Sequence, residues 1–148
     1  MVEVMIEIGK GETLKHCLDA DGKETGTRIA NRPYPYSYGF IMGTEDSSGD
    51  GVDCWVISAD SHAPASTVRC EPFGLLEFFE DGEVDHKVLA APIGTIPPAD
   101  PELLRSELEE FILGLFTAYP EVSVKVGMLK PAKAAIAFIG THSRICHR

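Results

Sequence analysis

Two neighbouring stretches decide the fold: Tyr34-Pro35-Tyr36-Ser37-Tyr38-Gly39-Phe40-Ile41 and, one loop later, Ser47-Ser48-Gly49-Asp50-Gly51-Val52-Asp53-Cys54-Trp55-Val56. The first is aromatic and β-prone, and side-chain alternation along an extended segment puts Tyr34, Tyr36 and Tyr38 on one face. Phenols in that arrangement can donate to phosphate oxygens without adding charge. An amphipathic aromatic edge is the alternative reading. The second stretch is a glycine-rich loop (42–51) running into an apolar strand over 52–58. Its Asp50 and Asp53 can converge on one hard cation, because magnesium takes oxygen ligands and keeps several waters. Acidic pairs in glycine loops are also ordinary turn formers, so this pair alone does not decide.

Working outward, the chain start alternates, with Val2, Val4, Ile6 and Ile8 opposite Glu3 and Glu7. That period of two predicts a strand carrying both acids on its polar face. Residues 9–33 are polar and turn-rich, predicting a hairpin of marginal strands. Further short strands are expected at 67–71, 74–79 and 84–91, with Asp81-Gly82 as the turn joining the last two. Within 84–91, Asp85 and Lys87 share a face and can act on one ligand. A second acidic cluster, Glu80-Asp81-Gly82-Glu83-Val84-Asp85, precedes Lys87 and could equally be a solvated hairpin tip. Lys15, Arg28 and Lys87 form a basic set spread among the acids.

The period then changes. Asp100-Pro101-Glu102 pairs an N-capping acid with proline at the first helical position. Leu104, Leu108, Phe111, Ile112, Leu115 and Phe116 recur at three- and four-residue steps, predicting an amphipathic helix that Tyr119-Pro120 ends. A short strand follows at 122–126. A second helix is expected from about Pro131 to Ile139, with Gly140 as its stop. Short strands followed by two helices predict a mainly β chain with α elements: one domain over 1–148, a small closed OB-like barrel of five strands with two C-terminal helices packed outside.

Composition narrows the function. The 148 residues hold 13 Lys+Arg against 23 Asp+Glu, a formal charge of −10. Nucleic-acid binding is disfavoured, because a phosphate backbone wants a basic footprint. No apolar run approaches the roughly 18 residues that span a bilayer, so no membrane partner is expected. The acidic start lacks the positive region of a signal peptide. Cys17, Cys54, Cys70 and Cys146 form no C-x-x-C pair and read as reduced thiols in a cytoplasmic protein. The tail with His142, Cys146 and His147 reads as a frayed end.

Taken in order, the tyrosine strand, the Ser48-Gly49-Asp50-Gly51-Val52-Asp53 loop, Met5-Ile6-Glu7-Ile8, Val68-Arg69-Cys70-Glu71-Pro72-Phe73-Gly74, Asp85-His86-Lys87 and Ala90-Ala91-Pro92 resemble family I soluble inorganic pyrophosphatase. The resemblance implies metal-dependent hydrolysis of inorganic diphosphate by an activated water, with Mg2+ as cofactor and Mn2+ as the alternative. It implies Asp50 as the acceptor of the water proton, Asp53 as a bridging metal ligand, and Asp85, Glu80 and Glu7 as further ligands. Lys15, Arg28, Tyr38, Lys87 and Tyr119 would hold the two phosphates of a small phosphate substrate. It also implies a homo-oligomer, hexamer or dimer.

Five positions depart from that pattern, the mildest being Glu80, where the family usually has Asp. Ser48 stands where the family has an acid, Gly51 where it has proline, Cys17 where it has Glu, and Pro120 where it has Lys. Asp46, two residues before Ser48, is the nearest substitute for the missing charge. The alternative reading is therefore a catalytically impaired paralogue that binds or acts on another small phosphate compound.

Overall fold

The computed structural model describes residues 1–144; Cys146 and His147 lie outside the described residues. In chain order the elements are β1 (Val2–Ile8), β2 (Leu14–Leu18), β3 (Glu24–Ile29), β4 (Ser37–Ile41), β5 (Val52–Val56), β6 (Thr67–Glu80), β7 (Glu83–Val84), β8 (Lys87–Pro92), α1 (Pro101–Leu115), β9 (Val124–Pro131) and α2 (Ala132–Thr141). Strands β1, β4, β5, β8 and β6 pair in that order, and β6 pairs back to β1, closing a five-stranded ring. The β5–β8 pair is parallel and the other pairs in the ring are antiparallel. Among the described residues no helix is long and apolar enough to cross a membrane.

Alternation within the ring strands builds two cores. Val4, Ile6, Cys54, Val56, Val88 and Ala90 form one cluster, joined by Ala135 of α2. Tyr38, Trp55, Leu76, Phe78 and Leu89 point the opposite way, onto Leu104, Leu108, Phe111 and Ile112 of α1. Burying such side chains stabilises by about 1.5–3 kcal/mol each. Tyr38, Trp55, Phe78, Phe111 and Ile112, at one margin of this second core, line an open cleft. Helix α1 begins where the sequence puts it: Asp100 accepts a hydrogen bond from the Leu103 amide at 3.1 Å, and proline opens the first turn.

Several expectations change. The strands expected at 67–71 and 74–79 are one 14-residue strand, because a register shift between Pro72 and Gly74 absorbs the proline without breaking the ladder. The strand expected at 84–91 is interrupted at Asp85-His86. There the Phe78 amide donates to the His86 Nδ1 at 3.0 Å instead of to a neighbouring strand. The last strand runs to Pro131 rather than ending at 126. Gly140 does not stop α2, which continues to Thr141 with His142 as its cap. His142 is half-buried rather than frayed.

Candidate active site

Asp53 lies on β5 and Lys87 opens β8, and the parallel pairing of these strands sets both at the same end of the ring. Lys87 Nζ donates to Asp53 Oδ2 at 2.6 Å and to Asp85 Oδ2 at 3.0 Å. The same ammonium stands 5.8 Å from the centre of the Tyr38 ring and 5.1 Å from that of Phe78. Glu7 is carried beside this group by an irregularity in the β1–β4 pairing between Ile6 and Ile8. The β2–β3 hairpin then covers Glu7, leaving it 6% exposed while Glu3 on the same strand stays exposed. Its carboxylate accepts the Leu18 amide at 2.8 Å and lies 3.9 Å from Lys15 Nζ. Lys15 in turn sits 5.1 Å from the centre of the Tyr38 ring.

The electrostatics follow from this packing. Burial alone would raise the Asp53 carboxyl, but the ammonium groups of Lys87 and Lys15 outweigh it and hold Asp53 below the ordinary carboxylate value. Burial pushes Asp85 up to about 6, the charge of Asp53 adding to it and Lys87 opposing. Burial also dominates at Glu7, whose carboxyl is raised although Lys15 and the Leu18 amide pull the other way. Lys87 is buried, which by itself would lower it, yet Asp53 and Asp85 hold it well above the ordinary lysine value.

These groups line an open cleft of about 1090 Å³. All ten residues expected from the sequence line it: Glu7, Lys15, Arg28, Tyr38, Asp50, Asp53, Glu80, Asp85, Lys87 and Tyr119. They are not equally knit together. Glu7, Lys15, Tyr38, Asp53, Asp85 and Lys87 form the contacts just described. Arg28, Glu80 and Tyr119 make no ion pair or side-chain hydrogen bond among the described residues. Ser48 and Cys17 also line the cleft, whereas Pro120 does not. Among the described residues no three Asp, Glu, His or Cys side chains stand close enough to enclose a cation.

The loop before β5 shows what Asp46 does. Its Oδ1 accepts from the Ser48 amide at 2.9 Å, the Ser48 hydroxyl at 2.7 Å and the Asp50 amide at 3.0 Å. The Ser48 hydroxyl also stands 3.4 Å from Asp50 Oδ2. Asp46 therefore organises the turn from within, and it lines the cleft itself beside Ser48 and Asp50.

The tyrosine face is mostly core. Tyr34 and Tyr38 are 6% and 5% exposed and pack with Trp55 and Phe111. The Tyr36 hydroxyl donates to Glu107 of α1 at 2.6 Å rather than facing a ligand. Trp55, which the sequence did not single out for the site, lines the cleft. The signal was present, because Asp53 and Trp55 are two apart on one strand and share a face.

The family model for inorganic pyrophosphatase matches residues 4–142. The chain is 35% identical over 125 residues to an inorganic pyrophosphatase of Aquifex pyrophilus, covering 74% of this chain and 69% of that one. It is 30% identical over 147 residues to the inorganic pyrophosphatase of Aeropyrum pernix, covering 91% and 84%. Among solved structures, the inorganic pyrophosphatase of Helicobacter pylori superposes with a TM-score of 0.83 at 27% identity, covering 95% of this chain and 89% of that one. That of Thermus thermophilus gives 0.81 at 25% identity, covering 95% and 87%.

Proposed function

The chain belongs to the inorganic pyrophosphatase family, and from that membership we propose that its cleft hydrolyses inorganic diphosphate to two phosphates. The observation that carries this reading is the joint placement of Lys87, Asp53 and Asp85, with Lys15 beside the same tyrosine. A site that must hold an anion of several negative charges together with a hard cation needs ammonium and carboxylate groups side by side.

The donor set fits magnesium, with manganese as the alternative. Every donor is oxygen, and Asp53 and Asp85 are both within hydrogen-bond reach of one Lys87 nitrogen. One or two carboxylates per magnesium suffice when waters and substrate phosphates complete the shell. Asp53 and Asp85 would hold the metal, with Asp50, Glu80 and Glu7 as outer ligands. A bound divalent cation would neutralise phosphate charge and lower the pKa of a water.

The chain's own groups supply the rest. Lys15, Arg28 and Lys87 bind the phosphates, and the raised basicity of Lys87 keeps it cationic at neutral pH. Tyr38 and Tyr119 orient phosphate oxygens by hydrogen bonding. Asp50 accepts a proton from water as the water oxygen bonds to one phosphorus. The bond from that phosphorus to the bridging oxygen breaks, and its electron pair leaves on the departing phosphate, which takes up the proton. Lys15 and Lys87 offset the charge that develops there, the kind of fixed electrostatic stabilisation that dominates such reactions.

Ser48 and Cys17 leave the metal and phosphate sites short of two family carboxylates, so reduced activity or weakened metal dependence belongs to this reading. Exposed apolar residues such as Ile96, Leu103, Met128 and Ile136 offer surface for a homo-oligomer, a hexamer or a dimer. Free thiols at Cys17, Cys54 and Cys70 suit the cytoplasm. Phosphate release from diphosphate with magnesium tests the whole reading, and Asp50→Ala and Asp53→Ala are expected to abolish it. No release across a broad magnesium and manganese titration would overturn it.

A further inference from the structure

The geometry points to residues 142–144, the segment after α2, as a positioning clasp for the acidic loop; this rests on the reading of the cleft as a metal-dependent site. The loop between β4 and β5 is held from two sides. From within, the buried Thr44 hydroxyl donates to the Ile41 carbonyl at 2.6 Å and accepts the Val52 amide at 2.9 Å, tying both ends of the loop together. From outside, the Glu45 amide donates to the His142 carbonyl and the Arg144 amide donates to the Gly43 carbonyl, each at 2.8 Å. Thr44 and Ser143 form an antiparallel bridge between these two bonds.

Arg144 extends the clasp to a second element. Its Nε lies 3.4 Å from Glu45 Oε1, and its Nη1 lies 3.7 Å from Asp21 Oδ1, at the tip of the β2–β3 hairpin. That hairpin carries Lys15 and Arg28, while the loop carries Asp46, Ser48 and Asp50. One guanidinium thus joins the basic side of the cleft to its acidic side. The ion pairs are exposed, and exposed pairs contribute only about 0–1 kcal/mol. The two backbone bonds therefore carry most of the effect, and Arg144 sets where the hairpin stands relative to the loop. His142 is itself anchored, with its Nδ1 2.8 Å from the Phe138 carbonyl in the last turn of α2.

His142 borders the cleft but its Nδ1 pairs with the Phe138 carbonyl and Thr141, and Ser143 and Arg144 do not line it, so the role is positioning and its signature is in metal affinity rather than in the rate at saturation. Arg144→Pro removes both the amide donor and the guanidinium, Arg144→Ala only the guanidinium, and Arg144→Lys keeps a charge. Amide exchange over residues 43–50 and calorimetric titration with Mn2+ alone are the readouts, with kcat at saturating metal beside them. Arg144→Pro is expected to accelerate exchange over 43–50 and to weaken Mn2+ binding about tenfold, the low end for groups that orient metal ligands, with kcat within about twofold. Arg144→Ala is expected to lie between, and Arg144→Lys close to the parent chain. Unchanged exchange in Arg144→Pro overturns the clasp, whatever the activity. Faster exchange with unchanged Mn2+ affinity overturns its role in positioning. If the parent chain itself binds no Mn2+, the metal-dependent reading fails, and the exchange readout still decides whether residues 142–144 hold the loop.

Discussion

The Lys87 ammonium and the Asp53 carboxylate meet at 2.6 Å, on side chains only 11% and 24% exposed. Removing one partner of a buried pair leaves the other charge uncompensated, at a cost of about 3–5 kcal/mol. Lys87→Met is therefore expected to lower stability toward that range as well as to abolish phosphate release. A urea midpoint equal to that of the parent chain would show that the pair does nothing for the fold.

Gly51 stands where the family has proline, and the structure supplies a reason. A Cβ at Gly51 would meet the Phe40 ring, with Cδ2 at 2.5 Å and Cγ at 2.9 Å. Phe40 is 3% exposed, so the ring has little room to yield. Gly51→Pro alone is expected to destabilise by about 1–3 kcal/mol, as overpacking does. Combined with Phe40→Val, the same change should cost less than the sum of the two singles. Strictly additive urea-unfolding energies would show that Phe40 is not the obstacle.

Ser48→Asp restores the acid that the family carries. It is expected to tighten Mn2+ or Mg2+ binding about tenfold, which is 1.4 kcal/mol. Without metal the new carboxylate adjoins Asp46 and Asp50 and loses the 2.7 Å hydroxyl bond to Asp46, so the melting temperature should fall. A variant with unchanged metal dependence would locate the deficit elsewhere, Cys17 being next.

Burial pushes the Tyr36 hydroxyl up to about 12, and its hydrogen bond to Glu107 adds to the shift. A raised folded value means that this group's contribution to stability is present below pH 10 and is lost as pH rises through 12. Phenolate absorbance from Tyr36 should accordingly appear late in an alkaline titration. Glu107→Gln should bring it earlier, and an identical titration curve for that variant would rule out the bond.

Trp55 is the chain's one tryptophan and lines the cleft. Its emission is expected to change when diphosphate and magnesium are added, and the signal should vanish in Trp55→Phe. Constant emission through saturation of the steady-state rate would place the bound phosphates away from the Tyr38–Trp55 floor.

Local chemistry made much of this legible. Asp100-Pro101 and the apolar stripe gave α1 its start and its buried face, and Asp81-Gly82 marked a turn at which both residues have positive φ. The ten cleft residues, by contrast, were named through the family resemblance that the ordered motifs carry. What escaped depended on partners far along the chain. Pro72-Phe73-Gly74 read as a break, yet β8 and β9 hold β6 continuous around it. Tyr36 looked like a ligand donor because nothing local pairs it with Glu107, 71 residues away. His142 looked loose because the partner of its carbonyl, Glu45, lies nearly a hundred positions upstream.

The parallel neighbours β5 and β8 also constrain the order of events during folding. Asp53 and Lys87 are separated by 34 residues, and the chain between them includes the whole of β6. A chain that has formed the β1–β4–β5 meander but not docked β8 would hold Asp53 with no Lys87 beside it. Contacts of this sequence separation form late, because loop closure must precede them. Catalytic competence should therefore return in a refolding experiment no sooner than barrel closure, even after most secondary structure has been regained.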